Sequence, residues 1–214
     1  MARRPIFLLG LAALLATWPA CAATVDVEIK DGSGHPAANA VVTLMPQGAA
    51  PTAPSPLPAE AVIDQRHETF IPLVTLLRKG GDVVFTNNDT TMHQVYSFSS
   101  VKQFEFELDE GQRSKPVVFD KAGVASIGCN IHDQMITYVY VADTPWAVLT
   151  DANGRARIAN VPAGAYRAEV WHPQLVPGRA PPSAALTVKG DTPFALAISL
   201  MAAPAKKRMH MGNY

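Results

Sequence analysis

The sequence predicts an all-β protein made of two β-rich units, and three observations carry that expectation. The 214 residues are 48% apolar and 17% charged and include 18 prolines and 14 glycines, the makeup of a soluble chain rich in strands and turns. Apolar residues alternate with polar ones at Val25, Val27 and Ile29, and again at Phe104, Phe106 and Leu108, the period of half-buried strands. Turn clusters such as Gly32-Ser33-Gly34, Asn87-Asn88-Asp89 and Asn153-Gly154 separate these runs. Lys plus Arg equal Asp plus Glu in number, aromatic residues are sparse and no basic stripe is present. These features exclude nucleic acid and an anionic membrane as partners.

Taken in order, residues 1–23 carry Arg3 and Arg4, an apolar run from Ile6 to Ala16 and the small-residue site Ala20-Cys21-Ala22. That is the pattern of a cleaved signal peptide, so export to the periplasm is expected. The paired arginines leave a twin-arginine route open beside the general one. A lipoprotein reading through Cys21 is weaker, because Trp18 stands where an aliphatic residue is expected. No later segment approaches the length of a membrane span, so none is expected after cleavage. Cleavage leaves Cys129 as the remaining cysteine. In an oxidising compartment such a residue is either an inert buried thiol or a metal ligand.

Residues 24–45 hold an alternating strand, a Gly-Ser-Gly turn and the strand Val41-Val42-Thr43-Leu44. Far downstream, Asn153-Gly154 marks a hairpin, and Pro162-Ala163-Gly164 leads into a further strand. Asp31, Gly34, Pro36, Ala40, Val42 and Leu44, joined to Thr150, Asp151, Gly154, Pro162, Gly164 and Tyr166, follow one pattern. It resembles that of the carboxypeptidase regulatory-like, transthyretin-like β-sandwich. The resemblance implies a sandwich split between 24–45 and 146–203, with a second unit at 59–145 inserted through a Pro/Ala-rich linker at 46–58. The alternative is that the first two strands are the opening hairpin of the second unit. Residues 204–214 form a basic tail.

The second unit centres on Cys129-Asn130-Ile131-His132-Asp133-Gln134-Met135, placed between an alternating strand and the β-branched run from Ile136 to Val141. A thiolate, an imidazole and a thioether spaced three residues apart suit both oxidation states of copper. His93 follows an Asn/Asp turn cluster and opens a strand, which makes it the candidate second imidazole. Residues of roughly 60 to 142 resemble the cupredoxins of the plastocyanin and amicyanin type. This resemblance implies a Greek-key barrel binding one type 1 copper through His93, Cys129, His132 and an axial Met135. Asp64-Gln65, Phe70 and Pro72, with the strand from Val95 to Ser99, resemble a proteobacterial subgroup labelled methylamine utilisation proteins. The resemblance departs at Gln94, where many cupredoxins have an Asn that helps hold the ligand loop.

The function expected is a periplasmic carrier of single electrons and not an enzyme, with a periplasmic cytochrome or dehydrogenase as redox partner. A nitrite reductase or multicopper oxidase needs further histidine pairs, and His35, His67 and His172 are scattered in solvated or structural settings. A copper sensor or chaperone is the alternative, with Met209-His210-Met211 as auxiliary donors. A protein- or glycan-binding role for the outer sandwich is another, although only Trp146 and Trp171 offer an aromatic platform. The compact loop predicts that the ring edge of His132 reaches the surface, where Met92, Ile131 and Met135 provide apolar contacts broken by Asp133 and Gln134.

Overall fold

The computed structural model describes residues 23–48 and 55–201. The expected signal segment up to residue 22, residues 49–54 of the linker and the tail carrying Met209-His210-Met211 lie outside them. Sixteen strands and no helix occur among the described residues. In chain order they are β1 (Ala23–Asp31), β2 (Val41–Pro46), β3 (Glu60–Gln65), β4 (Phe70–Ile71), β5 (Val74–Arg78), β6 (Gly81–Asn87), β7 (His93–Ser99) and β8 (Lys102–Leu108). There follow β9 (Val117–Phe119), β10 (Gly123–Cys129), β11 (Ile136–Ala142), β12 (Ala147–Leu149), β13 (Arg155–Val161), β14 (Gly164–Trp171), β15 (Ser183–Val188) and β16 (Thr192–Ile198).

These strands make four sheets around two separate cores. Orders β13-β1-β16 and β12-β2-β14-β15 enclose one core, which includes Val25, Ile29, Leu44, Trp146, Tyr166 and Phe194. Orders β4-β3-β6-β9 and β5-β11-β10-β7-β8 enclose the other, which includes Ile63, Phe85, Val95, Phe119, Ile127 and Val139. β1 pairs with β13 and β16, and β2 with β12 and β14. The chain thus leaves the outer pair of sheets after β2 and returns to it at β12. The two crossing points are adjacent: the Leu44 N–H donates to the Trp146 carbonyl at 2.8 Å, and the Thr144 hydroxyl to the Leu44 carbonyl at 2.9 Å.

Period-two burial explains β1. Val25, Val27 and Ile29 face the core, while Asp26 and Glu28 point outward to Arg157 and Arg155 on β13. Such exposed ion pairs fix register more than they add stability. Gly154 closes the turn before β13 with φ +69°, and a Cβ there would stand 2.3 Å from the Ile29 carbonyl oxygen, so only glycine lets the hairpin close against β1. The run from Phe70 to Leu76 divides at Pro72, with β4 pairing to β3 in one sheet and β5 to β11 in the other. Proline supplies no N–H for a ladder, so the strand switches sheets there.

The outer and inner sheets meet through aromatic rings. Tyr138 and Tyr140 lie on the outward face of β11, and each ring centroid is 5.6 Å from that of Trp171 on β14. Beside this contact His172 is buried, its Nε2 3.0 Å from the Ala38 carbonyl and its Nδ1 accepting the Gln174 N–H at 3.1 Å. Burial lowers its pKa from the ordinary histidine value. The fold therefore prefers the neutral ring. Its contribution is complete above the unfolded pKa of about 6.5 and is lost as pH falls through that value toward the depressed one. Thermal melts followed by tryptophan fluorescence should show the melting temperature falling between about pH 7.5 and pH 5, by at most about 1.4 kcal/mol of stability per pH unit. His172→Gln, which has no proton to gain, should flatten that dependence. No helix of the described residues is long and apolar enough to cross a membrane.

Candidate metal centre

Two loops at one end of the inner sheets build the site. β10 pairs antiparallel with β7, setting Cys129 opposite Val95 and Gly128 opposite Tyr96. Side chains two apart on a strand share a face, so His93, Val95, Ile127 and Cys129 all point into the core. The absence of a side chain at Gly128 leaves room for the Tyr96 ring, since a Cβ there would lie 2.8 Å from the Tyr96 hydroxyl. After Cys129 the chain makes a turn in which the Met135 N–H donates to the His132 carbonyl at 2.9 Å, and β11 begins.

The result is a cluster in which one ligand atom from each of His93, Cys129 and His132 lies within 4.8 Å of the others. Cys129 Sγ is 3.6 Å from His93 Nδ1, and the two imidazole rings sit edge to face with centroids 5.2 Å apart. Cys129 and His93 are fully enclosed, and His132 is half-buried. The Nδ1 of His132 is a buried polar atom without a hydrogen-bond partner. Buried polar atoms are rarely left so, and an unpartnered ring nitrogen in a cluster with a thiol and a second imidazole is what a metal ion would satisfy. Met135 is buried in the same core cluster as Cys129.

Each histidine shows its other nitrogen to a carboxylate. His93 Nε2 lies 3.2 Å from Asp89 Oδ2, and His132 Nε2 lies 3.4 Å from Glu68 Oε1. Asp89 also accepts the N–H of Glu68 at 2.7 Å, the main reason its carboxyl is held below the usual carboxylate range. The loop before His93 is ordered by Asn87, which is wholly buried. Its amide donates to the carbonyls of Thr91 and Leu108 at 2.8 and 2.9 Å, and its Oδ1 accepts the Asp89 N–H at 2.9 Å. Gln94 takes part in holding the ligand loop. Its Oε1 accepts from the Asn130 side chain at 3.2 Å, and its backbone carbonyl accepts the Asn130 N–H at 3.1 Å.

The His132 side chain reaches the surface at 19% exposure, where the Glu68 carboxylate lies 3.4 Å from Nε2. One expectation about the surface is corrected. Met135 is 2% exposed and offers no surface contact, since it falls in register with the inward-facing Thr137, Val139 and Val141. Met92 and Ile131 are exposed, at 39% and 47%. His35 pairs with Asp31 at the surface, His67 sits in an exposed turn and His172 is bonded within the outer sheets, so none of the three joins the cluster.

The structural neighbours of the chain are cupredoxins and a related reductase. A purple cupredoxin from Nitrosopumilus maritimus is 24% identical, with 38% of this chain and 99% of that one covered and a TM-score of 0.35. The reduced state of an amicyanin mutant is 19% identical, with 47% of this chain and 98% of that one covered and a TM-score of 0.35. The copper-containing nitrite reductase of Thermus scotoductus SA-01 is 23% identical over 47% of this chain, which spans 26% of that enzyme, with a TM-score of 0.37. The chain matches no family model and no curated protein in sequence. Among the described residues the fold is all-β.

Proposed function

We propose that this protein is an exported type 1 copper protein that carries single electrons between redox partners. The observation that carries the reading is the convergence, in one enclosed pocket, of the Cys129 thiol and the two imidazoles of His93 and His132, with His132 Nδ1 left unpartnered. Copper held by a thiolate and two imidazoles supplies a one-electron couple in which both oxidation states tolerate the same ligands. His93 and Cys129 are fixed by neighbouring strands, so the pocket keeps its shape when the electron count changes. Met135, brought beside His132 by the turn, is assigned the weak axial position. The enclosure of the thiol also favours a carrier over a protein that passes copper on.

The outer sheets, from residues 24–45 and 146–203, are read as a transthyretin-like scaffold into which the metal unit is inserted. The redox partner, a periplasmic cytochrome or dehydrogenase, is assigned to the surface holding Met92 and Ile131. Short-lived redox complexes use small contact areas, so one added charge has a large effect. Ile131→Lys should leave the copper spectrum intact and slow electron exchange at least about tenfold at low salt. Lys189→Glu, in the outer sheets, should not. Stopped-flow oxidation of the reduced protein by a periplasmic cytochrome checks the pair. No electron exchange with any acceptor, alongside rapid transfer of copper to a chelating protein, would replace the carrier with a copper donor.

A further inference from the structure

We propose that Asp89 and Glu68 act together as a carboxylate pair that fixes both histidine rings with Nδ1 toward the thiolate and stabilises the more highly charged state of the bound metal. The inference rests on reading the pocket as a redox metal centre. Three observations carry it. Both rings turn Nε2 to a carboxylate oxygen, His93 in a hydrogen bond of 3.2 Å and His132 in an ion-pair contact of 3.4 Å, while His93 Nδ1 lies 3.6 Å from the thiol and His132 Nδ1 is buried without a partner, although the carboxylates come from different loops. The two residues are joined, since the backbone N–H of Glu68 donates to the same Asp89 oxygen that meets His93. The far oxygen of Glu68 also accepts from Gln134 on the ligand loop at 3.4 Å, which ties this side chain across the pocket's rim.

The third observation is the backbone that presents Glu68. Arg66 and Thr69 exchange N–H to carbonyl bonds of 3.0 and 3.1 Å, closing a two-residue hairpin between β3 and β4. Its central residues His67 and Glu68 have φ of 52° and 50°. Hairpin turns with two positive φ values are the province of Asn-Gly, and non-glycine residues are rarely held there. The sequence keeps an unfavourable pair at the turn from which Glu68 reaches His132.

The chemistry follows from charge. A carboxylate accepting the Nε2–H of an imidazole makes Nδ1 a better electron donor and fixes the tautomer. Two negative charges one ring away from the metal favour the oxidised ion over the reduced one and so lower the reduction potential. Asp89 and Glu68 are positioning residues in this scheme, because neither touches the metal.

Glu68→Gln and Asp89→Asn keep an oxygen acceptor for the ring and remove the charge. Each should weaken the preference of the copper-loaded protein for Cu(II) over Cu(I) about tenfold, equivalent to a rise in potential of about 59 mV for one electron. The paired change His67→Asn with Glu68→Gly installs the residues this turn prefers, so its melting temperature should equal or exceed that of the parent while the potential still rises. Potentials unchanged within about twofold in all three variants would overturn the proposal. The metal-free protein gives a second reading. Long-range nitrogen–proton spectra near pH 8 should show both rings as Nε2–H tautomers, and Nδ1–H rings would overturn the proposal even if copper gave no redox-active centre. A parent protein without a reversible couple but with Nε2–H rings would instead remove the redox reading and leave the ring-fixing role standing.

Discussion

Cys129→Ser is expected to abolish the visible absorption of the copper-loaded protein while leaving its fold in place. Among the described residues Cys129 is the cysteine that would supply a thiolate to copper, and the hydroxyl that replaces it stays protonated and binds either copper ion poorly. Serine nearly matches cysteine in volume, so the core around Ile127 and Val95 does not collapse. Burying a hydroxyl where the thiol was 3% exposed costs about 1 to 3 kcal/mol. Absorption spectra and thermal melts of the metal-free proteins check both halves. An intense absorption surviving in Cys129→Ser would remove the thiol from the centre.

The second large effect is expected far from the metal. Trp146 is buried in the outer core, donates its Nε1–H to the Asn160 carbonyl at 3.1 Å and meets Tyr166 edge to face at 5.7 Å. Trp146→Ala should cost about 3 to 5 kcal/mol, a large share of the stability of an ordinary domain. The inner sheets have their own core and metal pocket, so the copper absorption should outlast the outer sheets on heating. Trp171, on β14 against Tyr138 and Tyr140, remains as a fluorescent reporter of the outer unit and of its contact with the inner sheets. Separate transitions for Trp171 emission and copper absorption are predicted. A single shared transition would mean that the outer sheets are not a separable scaffold.

The cluster of His93, Cys129 and His132 is legible in the sequence because its residues follow rules of local spacing. Cys129, His132 and Met135 share one loop, and His93 follows a recognisable turn cluster at the start of an alternating strand. The burial of Met135 was also legible, since it continues the inward period of Thr137, Val139 and Val141, but a ligand-loop reading placed it at the rim. What could not be read are contacts between loops. Glu68 and Gln134 lie 66 residues apart, and the hairpin that presents Glu68 carries no glycine or asparagine to announce its backbone. Asn87 reads as a turn residue, whereas the structure buries it as the hub of the loop before His93. The tie between Gln94 and Asn130 likewise depends on strand register, which sequence period alone does not set.

The most direct test of the central claim is the visible and electron paramagnetic resonance spectrum of the protein loaded with one equivalent of Cu(II). The geometry predicts an intense thiolate-to-copper absorption that disappears with one electron equivalent of reductant and returns on oxidation. A colourless Cu(II) complex with the resonance of tetragonal nitrogen and oxygen ligation would contradict it, as would zinc filling the pocket of protein taken from its native compartment.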